Sequence, residues 1–485
     1  MAGARAGRIN VSLRRVAMVG AAMLFVLLGH ITIVQAFGSQ ALNADRRNER
    51  PLLARFGHPR GDILTYDGTA IATSRPAGGG PYLYQRVYRH GEVYAPVTGH
   101  LSLYRSSGIE QAQGAVLSGD DAKVKVRSLV KDGGVEGADV RLTISDRAQW
   151  AAYQSLKAVG VPGAVVAINP ATGAILALAS YPSYDPNVLT TFDRSRLAET
   201  ARGLRRAPGR PLLNRALRQT YPPGSTFKLV TTAAALGSGE YNPAGLVDAP
   251  ARLPLPGTSA YVRNDPGCRD TRPTLLYAFQ VSCDTAFATI GMQLGQDILR
   301  DQAEAFGFNE ESLAIPVATT PSRFPTAPAM TRAQTALAAI GHHEDRATPL
   351  MIAMLSAAVA NDGVLMRPYL VEEVRLADGS VINRAGPTPY RTAVPAPLAR
   401  HLAAMMTTVT HAGGTGTGAA IPGVEVAAET AMSRAVPGAE DHALVTAFAP
   451  ADKPEVAVGV VLEHPGARAA NVAPIARAVI EAVLA

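Results

Sequence analysis

The chain has 485 residues, long enough for two or three domains with cores of their own. A hydrophobic content of 47% excludes a disordered chain, and 45 glycines without a strict period exclude a collagen-like one. The net charge of +7 gathers at the start, where Arg5, Arg8, Arg14 and Arg15 precede any acidic residue; the near-balanced remainder argues against a nucleic-acid partner.

Behind those arginines, Val16 to Phe37 carries no formal charge while His30 is neutral. As a helix such a stretch crosses about 30 Å of hydrocarbon. Residues 1–15 read as a cytoplasmic basic tail and 16–37 as a transmembrane anchor, with everything beyond on the extracytoplasmic side. A cleaved signal peptide competes, since Val34-Gln35-Ala36 loosely fits a cleavage site, but the apolar run is longer than a signal core.

Gln40 to Gly57 reads as a polar connector. From Arg60, short apolar runs alternate with glycine, and Asp67-Gly68 marks a hairpin between Asp62–Tyr66 and Thr69–Ala72. Lys123-Val124-Lys125-Val126 alternates like an exposed strand. Residues 38–139 therefore read as a connector plus a small β-rich pedestal.

Val140–Ile144 predicts a strand, followed by a helix to Val159 capped by Ser145 or Asp146. Ala164–Asn169 and Ala174–Ser180 form a hairpin about Pro170-Ala171-Thr172-Gly173, and 182–210 is a surface excursion. Helices are expected at Phe227–Leu236, Thr274–Leu294, Ile298–Phe306, Thr331–Ala339, Pro349–Asn361 and Ala396–Thr410. Strands return at Ala443–Ala449 and Glu455–Leu462 before a terminal helix near Ala473–Leu484. Strands enclosing a helical middle make 140–485 one α+β domain whose sheet joins early and late segments.

The most informative segment is Tyr221-Pro222-Pro223-Gly224-Ser225-Thr226-Phe227-Lys228. The prolines and glycine open a helix, which puts Ser225 and Lys228 three apart on one face. A serine needs a base, and a buried lysine supplies one because desolvation favours its free amine. An S-x-x-K spacing alone is weak; the Pro-Pro-Gly entry and apolar continuation strengthen it.

This segment resembles the nucleophile motif of the class B penicillin-binding proteins, serine D,D-transpeptidases of peptidoglycan, with the closest likeness to the actinobacterial branch. Arg60-Gly61-Asp62-Ile63-Leu64, Gly108-Ile109-Glu110 and Leu117-Ser118-Gly119 resemble landmarks of the family's pedestal, and Gly163–Pro170 resembles the opening of its transpeptidase domain. The resemblance implies a central antiparallel sheet flanked by helices, no metal and no cofactor.

It also implies roles for residues. Ser282-Cys283-Asp284 stands where the family has S-x-N: Ser282 would relay protons, but Asp284 lacks the amide donor and brings repulsion. Glu429-Thr430-Ala431 stands where it has K-T-G, so Glu429 reverses the charge that attracts a substrate carboxylate, and Ala431 adds a methyl beside the substrate. Met432 and Ser225 would supply the backbone N–H groups of an oxyanion hole.

Other features are plainer. Cys268 and Cys283 are candidates for a disulfide, which the extracytoplasmic compartment permits, with two free thiols as the alternative. Gly341-His342-His343-Glu344 departs from the family's glycine–glutamine–glycine turn and reads as a solvated loop, and Gly413–Gly418 as a flexible connector. Two functions follow. One is a membrane-anchored enzyme that cross-links peptidoglycan stem peptides by acyl transfer through Ser225 and binds β-lactams. The other is a catalytically impaired scaffold or β-lactam sensor. In either, a membrane glycosyltransferase is the expected partner.

Overall fold

A computed structural model of the chain describes residues 3–38, 50–129, 137–311, 313–433 and 441–485. It divides into two compact units, Met1–His58 with Ala77–Tyr84, and Pro59–Pro76 with Gln85–Ala485. The expected connector falls largely on 39–49, outside the described residues.

In the first unit, helix α1 (Gly3–Ile33) runs into a π-turn, Val34–Gly38. Leu13–Ala36 is long and apolar enough to cross a membrane, and its large side chains from Val16 to Ile33 are exposed. The one hydroxyl near its end, on Thr32, donates to the Leu28 carbonyl at 2.8 Å, so the helix backbone satisfies it.

The pedestal of the second unit is less β-rich than its sequence predicts. Strands do form at Ile63–Leu64 and Ala70–Pro76, paired antiparallel about the Asp67-Gly68 turn. Helices at Gly91–Thr98, Gly108–Ala112, Gly114–Leu117 and Ala122–Leu129 fill much of the rest. The last replaces the strand expected at Lys123–Val126. Asp121 Oδ1 accepts from the Lys123 and Val124 amides and starts a helix, which Val124 anchors in a small cluster with Ala138 and Val374. Two alternations are too few to separate a strand from one helical turn. The six-stranded sheet is completed by Tyr84–Tyr88, Asp139–Leu142, Val371–Arg375 and Val381–Arg384, so residues far downstream close the pedestal.

Beyond it, Ser145 caps helix α2 (Asp146–Val159), accepting from the Ala148 amide. Strands β1 (Gly163–Ile168) and β2 (Ile175–Tyr181) form the expected hairpin. The supposed surface excursion contains helix α3 (Arg194–Arg206), whose start Asp193 caps through the Ser195 and Arg196 amides. The nucleophile segment leads into α4 (Lys228–Gly237). The helix expected across Thr274–Leu294 is two: α5 (Leu275–Gln280) and α6 (Asp284–Leu294), parted at Ser282, whose φ is 60°. The apolar period runs through the break, which is why the sequence hides it.

Helix α7 (Pro349–Ala360) is buried almost all round. Where it crosses the sheet, a Cβ on Gly459 would lie 2.4 Å from the Ala353 nitrogen, so only glycine fits. Helix α8 (Ala396–Thr410), strands β3 (Ala427–Ser433), β4 (His442–Ala449) and β5 (Val456–Leu462), and α9 (Val472–Leu484) complete the domain. The five-stranded antiparallel sheet has the order β3–β4–β5–β1–β2, which pairs the two ends of the domain and leaves β3 on an edge.

Candidate active site

Gly224 is left-handed at φ 53°, and its amide donates to the Gly341 carbonyl at 3.1 Å. A Cβ there would lie 2.8 Å from Ser433 Cβ and 3.2 Å from Ala431 Cβ. Glycine thus seats a 3₁₀ turn, Gly224–Phe227, directly against the edge strand β3. Ser225 lies in that turn at 8% exposure, and Lys228, the first residue of α4, is fully buried.

The sequence predicts a free lysine amine beside Ser225. Instead Lys228 Nζ is engaged by three acceptors: the Ser282 carbonyl at 2.9 Å, Ser282 Oγ at 2.8 Å and Asp284 Oδ1 at 2.5 Å. Three acceptors match the three donors of an ammonium. The Phe287 ring lies 5.5 Å from the same nitrogen. The left-handed turn at Ser282 brings its carbonyl and hydroxyl onto Nζ together, and the Cys268–Cys283 disulfide, with Cα atoms 5.4 Å apart, ties down the next residue.

Asp284 therefore differs from its sequence-based role. Its carboxylate heads helix α6, where the helix dipole favours a negative charge, and it serves as counter-ion to Lys228. Glu429 differs as well. It is fully buried, neither carboxyl oxygen has a hydrogen-bond partner among the described residues, and burial pushes its acid well above the usual range. Asp284 raises it further, while Lys228 pulls the other way. Burial favours the neutral form of such a carboxyl, and a neutral Glu429 would turn the expected reversal of the field into a loss of positive charge.

Ala431 is buried and Met432 presents an exposed side chain, consecutive residues on opposite faces of β3. The contacts of Gly224 bring the Ser225 turn and the Ala431–Ser433 backbone side by side. Two features went unread in the sequence. The Gly413–Gly418 loop is anchored, because the Thr430 hydroxyl donates to that of Thr415 at 2.7 Å. The His342 imidazole, read as part of a solvated loop, interacts with Asp284, Lys228 and the Met432 backbone. The signal for it was the departure from the family's turn next to a required glycine; a Cβ on Gly341 would lie 2.4 Å from the Gly224 carbonyl oxygen. Among the described residues no three His, Cys, Asp or Glu side chains converge as a metal site.

Residues 163–481 match the penicillin binding protein transpeptidase domain, and residues 60–139 match the penicillin binding protein A dimerisation domain. The peptidoglycan D,D-transpeptidase PbpA of Mycolicibacterium smegmatis is 40% identical over 98% of this chain and 99% of its own. The M. tuberculosis protein of that name is also 40% identical, over 98% of this chain and 99% of its own. Among solved structures, penicillin-binding protein A from M. tuberculosis, as its ceftriaxone acyl-enzyme complex, superposes with a TM-score of 0.84 at 36% identity, covering 89% of this chain and 100% of that one. Given this fold, a buried serine and lysine beside an edge strand, and these matches, the chain belongs to the penicillin-binding protein transpeptidase family.

Proposed function

We propose that this chain is a membrane-anchored peptidoglycan D,D-transpeptidase that works through Ser225 and is acylated there by β-lactams. The observation that carries the proposal is the buried Ser225 in the turn that leads into α4, whose first residue, Lys228, is buried with its Nζ 2.8 Å from Ser282 Oγ. Asp284 takes a proton from Lys228, and the freed amine accepts the one on Ser225. Ser225 Oγ bonds to the carbonyl carbon of the penultimate D-alanine, whose peptide bond breaks. The terminal D-alanine leaves with a proton relayed through Ser282, and an amine of a second stem peptide, or water, resolves the ester. Ser225 and Met432 supply backbone donors to the oxyanion, and Thr430 borders the substrate.

The arginine-rich start faces the cytoplasm, and the catalytic domain stands outside with a membrane glycosyltransferase as its partner. Residues 1–15, 16–37, 38–139 and 140–485 serve as tail, anchor, pedestal and catalytic domain.

A fluorescent penicillin tests this on the full chain in detergent. Labelling that Ser225→Ala abolishes supports it, and absence of labelling across a broad pH range overturns it. The scaffold reading draws on one observation, that Lys228 is occupied by Ser282 and Asp284. Wild-type labelling would remove it.

A further inference from the structure

Glu429 is a fully buried acid with two unpartnered oxygens, and it sits in the interior of β3, two residues from Ala431, which packs toward Gly224. An isolated carboxylate in such a place is costly unless it keeps its proton. Its surroundings explain why no partner draws that proton off. From β4, the residue opposite is Thr446, whose hydroxyl is committed to the Ile352 carbonyl at 2.6 Å. From α8, Met406 and Thr410 are buried, while Arg400 and His401 lie on the exposed side. Lys228 is the nearby cation, and Asp284 already pairs with it at 2.5 Å. His342 faces that pair from the turn beyond Ile340.

We propose that Glu429 serves the Ser225 site as a neutral acid: its carboxyl keeps its proton, Lys228 is left with a single counter-ion, and acylation of Ser225 is lost as that carboxyl ionises. Glu429 is a positioning residue, since it acts through Lys228. A second carboxylate beside Lys228 favours the ammonium over the free amine that must accept the Ser225 proton. The added negative charge also opposes the developing oxyanion. The proposal rests on the acyl-transfer function above for its kinetic consequence, but the state of Glu429 is measurable without it.

Infrared spectra of the full chain in detergent, wild type and Glu429→Gln, would be compared at neutral pH. The expected result is a protonated-carboxyl band in the wild type that Glu429→Gln removes. Asp345, equally buried and likewise held well above the usual range by burial, supplies a second band that stays. If Glu429→Gln does not fold, Asp345→Asn removes the second band and leaves the Glu429 band to be followed through a pH series. Penicillin acylation is then measured against pH. The wild-type rate falls at least tenfold on the alkaline side as the Glu429 band disappears, and the Glu429→Gln profile lacks that limb. A wild-type spectrum without a Glu429 band overturns the proposal, and so does an alkaline limb that persists in Glu429→Gln. If the band is present but no variant is acylated at any pH, the acyl-transfer function has failed and the kinetic half of the proposal falls with it.

Discussion

Two buried glutamates, one in the pedestal and one in the catalytic domain, have opposite electrostatics. Glu110 meets two arginines: Arg86 Nε donates to it at 2.5 Å and an Arg60 guanidinium nitrogen lies 3.1 Å away. Burial alone would raise its acid, yet Arg86 and Arg60 together hold it below the usual carboxylate range. Glu429 is as thoroughly buried, has no hydrogen-bond partner among the described residues, and is pushed by that burial well above the range. Burial sets the cost of a charge in both places, and the partners decide whether the charge exists. A glutamate in a motif therefore says nothing about field until its neighbours are known.

The largest test of this contrast is Glu110→Ala, which leaves two arginines without their anion. It should cost about 3–5 kcal/mol, read as a lowered urea midpoint. A loss below about 1 kcal/mol would place the pedestal charges in effective contact with water. Glu429→Met removes an unsatisfied polar group and keeps its bulk. It should be neutral or stabilising by about 1–3 kcal/mol, and clear destabilisation would reveal a partner for the carboxyl.

The finest test is the sign of the pH dependence, at most about 1.4 kcal/mol per pH unit for one carboxyl. For Glu110 the native state releases its proton first. Its stabilising contribution is present above pH 4.5 and lost as pH falls below it. For Glu429 the native state holds its proton longer. Its contribution to stability declines as pH rises above 4.5, and Glu429→Gln makes the overall decline shallower. Urea melts of wild type, Glu110→Gln and Glu429→Gln on either side of pH 4.5 should show slopes of opposite sign. Slopes of the same sign would end the comparison.

The apolar N-terminal helix, the strand–helix–strand order of the transpeptidase domain and the turn that carries Ser225 were legible in the sequence. Each is written locally: an uncharged run at Val16–Phe37, short continuous apolar runs such as Val456–Leu462, and the Pro-Pro-Gly entry before Ser225. Local pattern failed where contacts between distant segments prevail. Ser282 breaks what reads as one helix because its carbonyl and hydroxyl are drawn to Lys228, 54 residues away in the chain. Val371–Arg384 completes a pedestal that begins three hundred residues earlier. The three-dimensional contacts alone reveal that Asp284 pairs with Lys228 and that Glu429 is buried with no hydrogen-bond partner among the described residues. The energy of a charge depends on the dielectric and on the charges within a few ångströms, and a one-dimensional pattern carries neither.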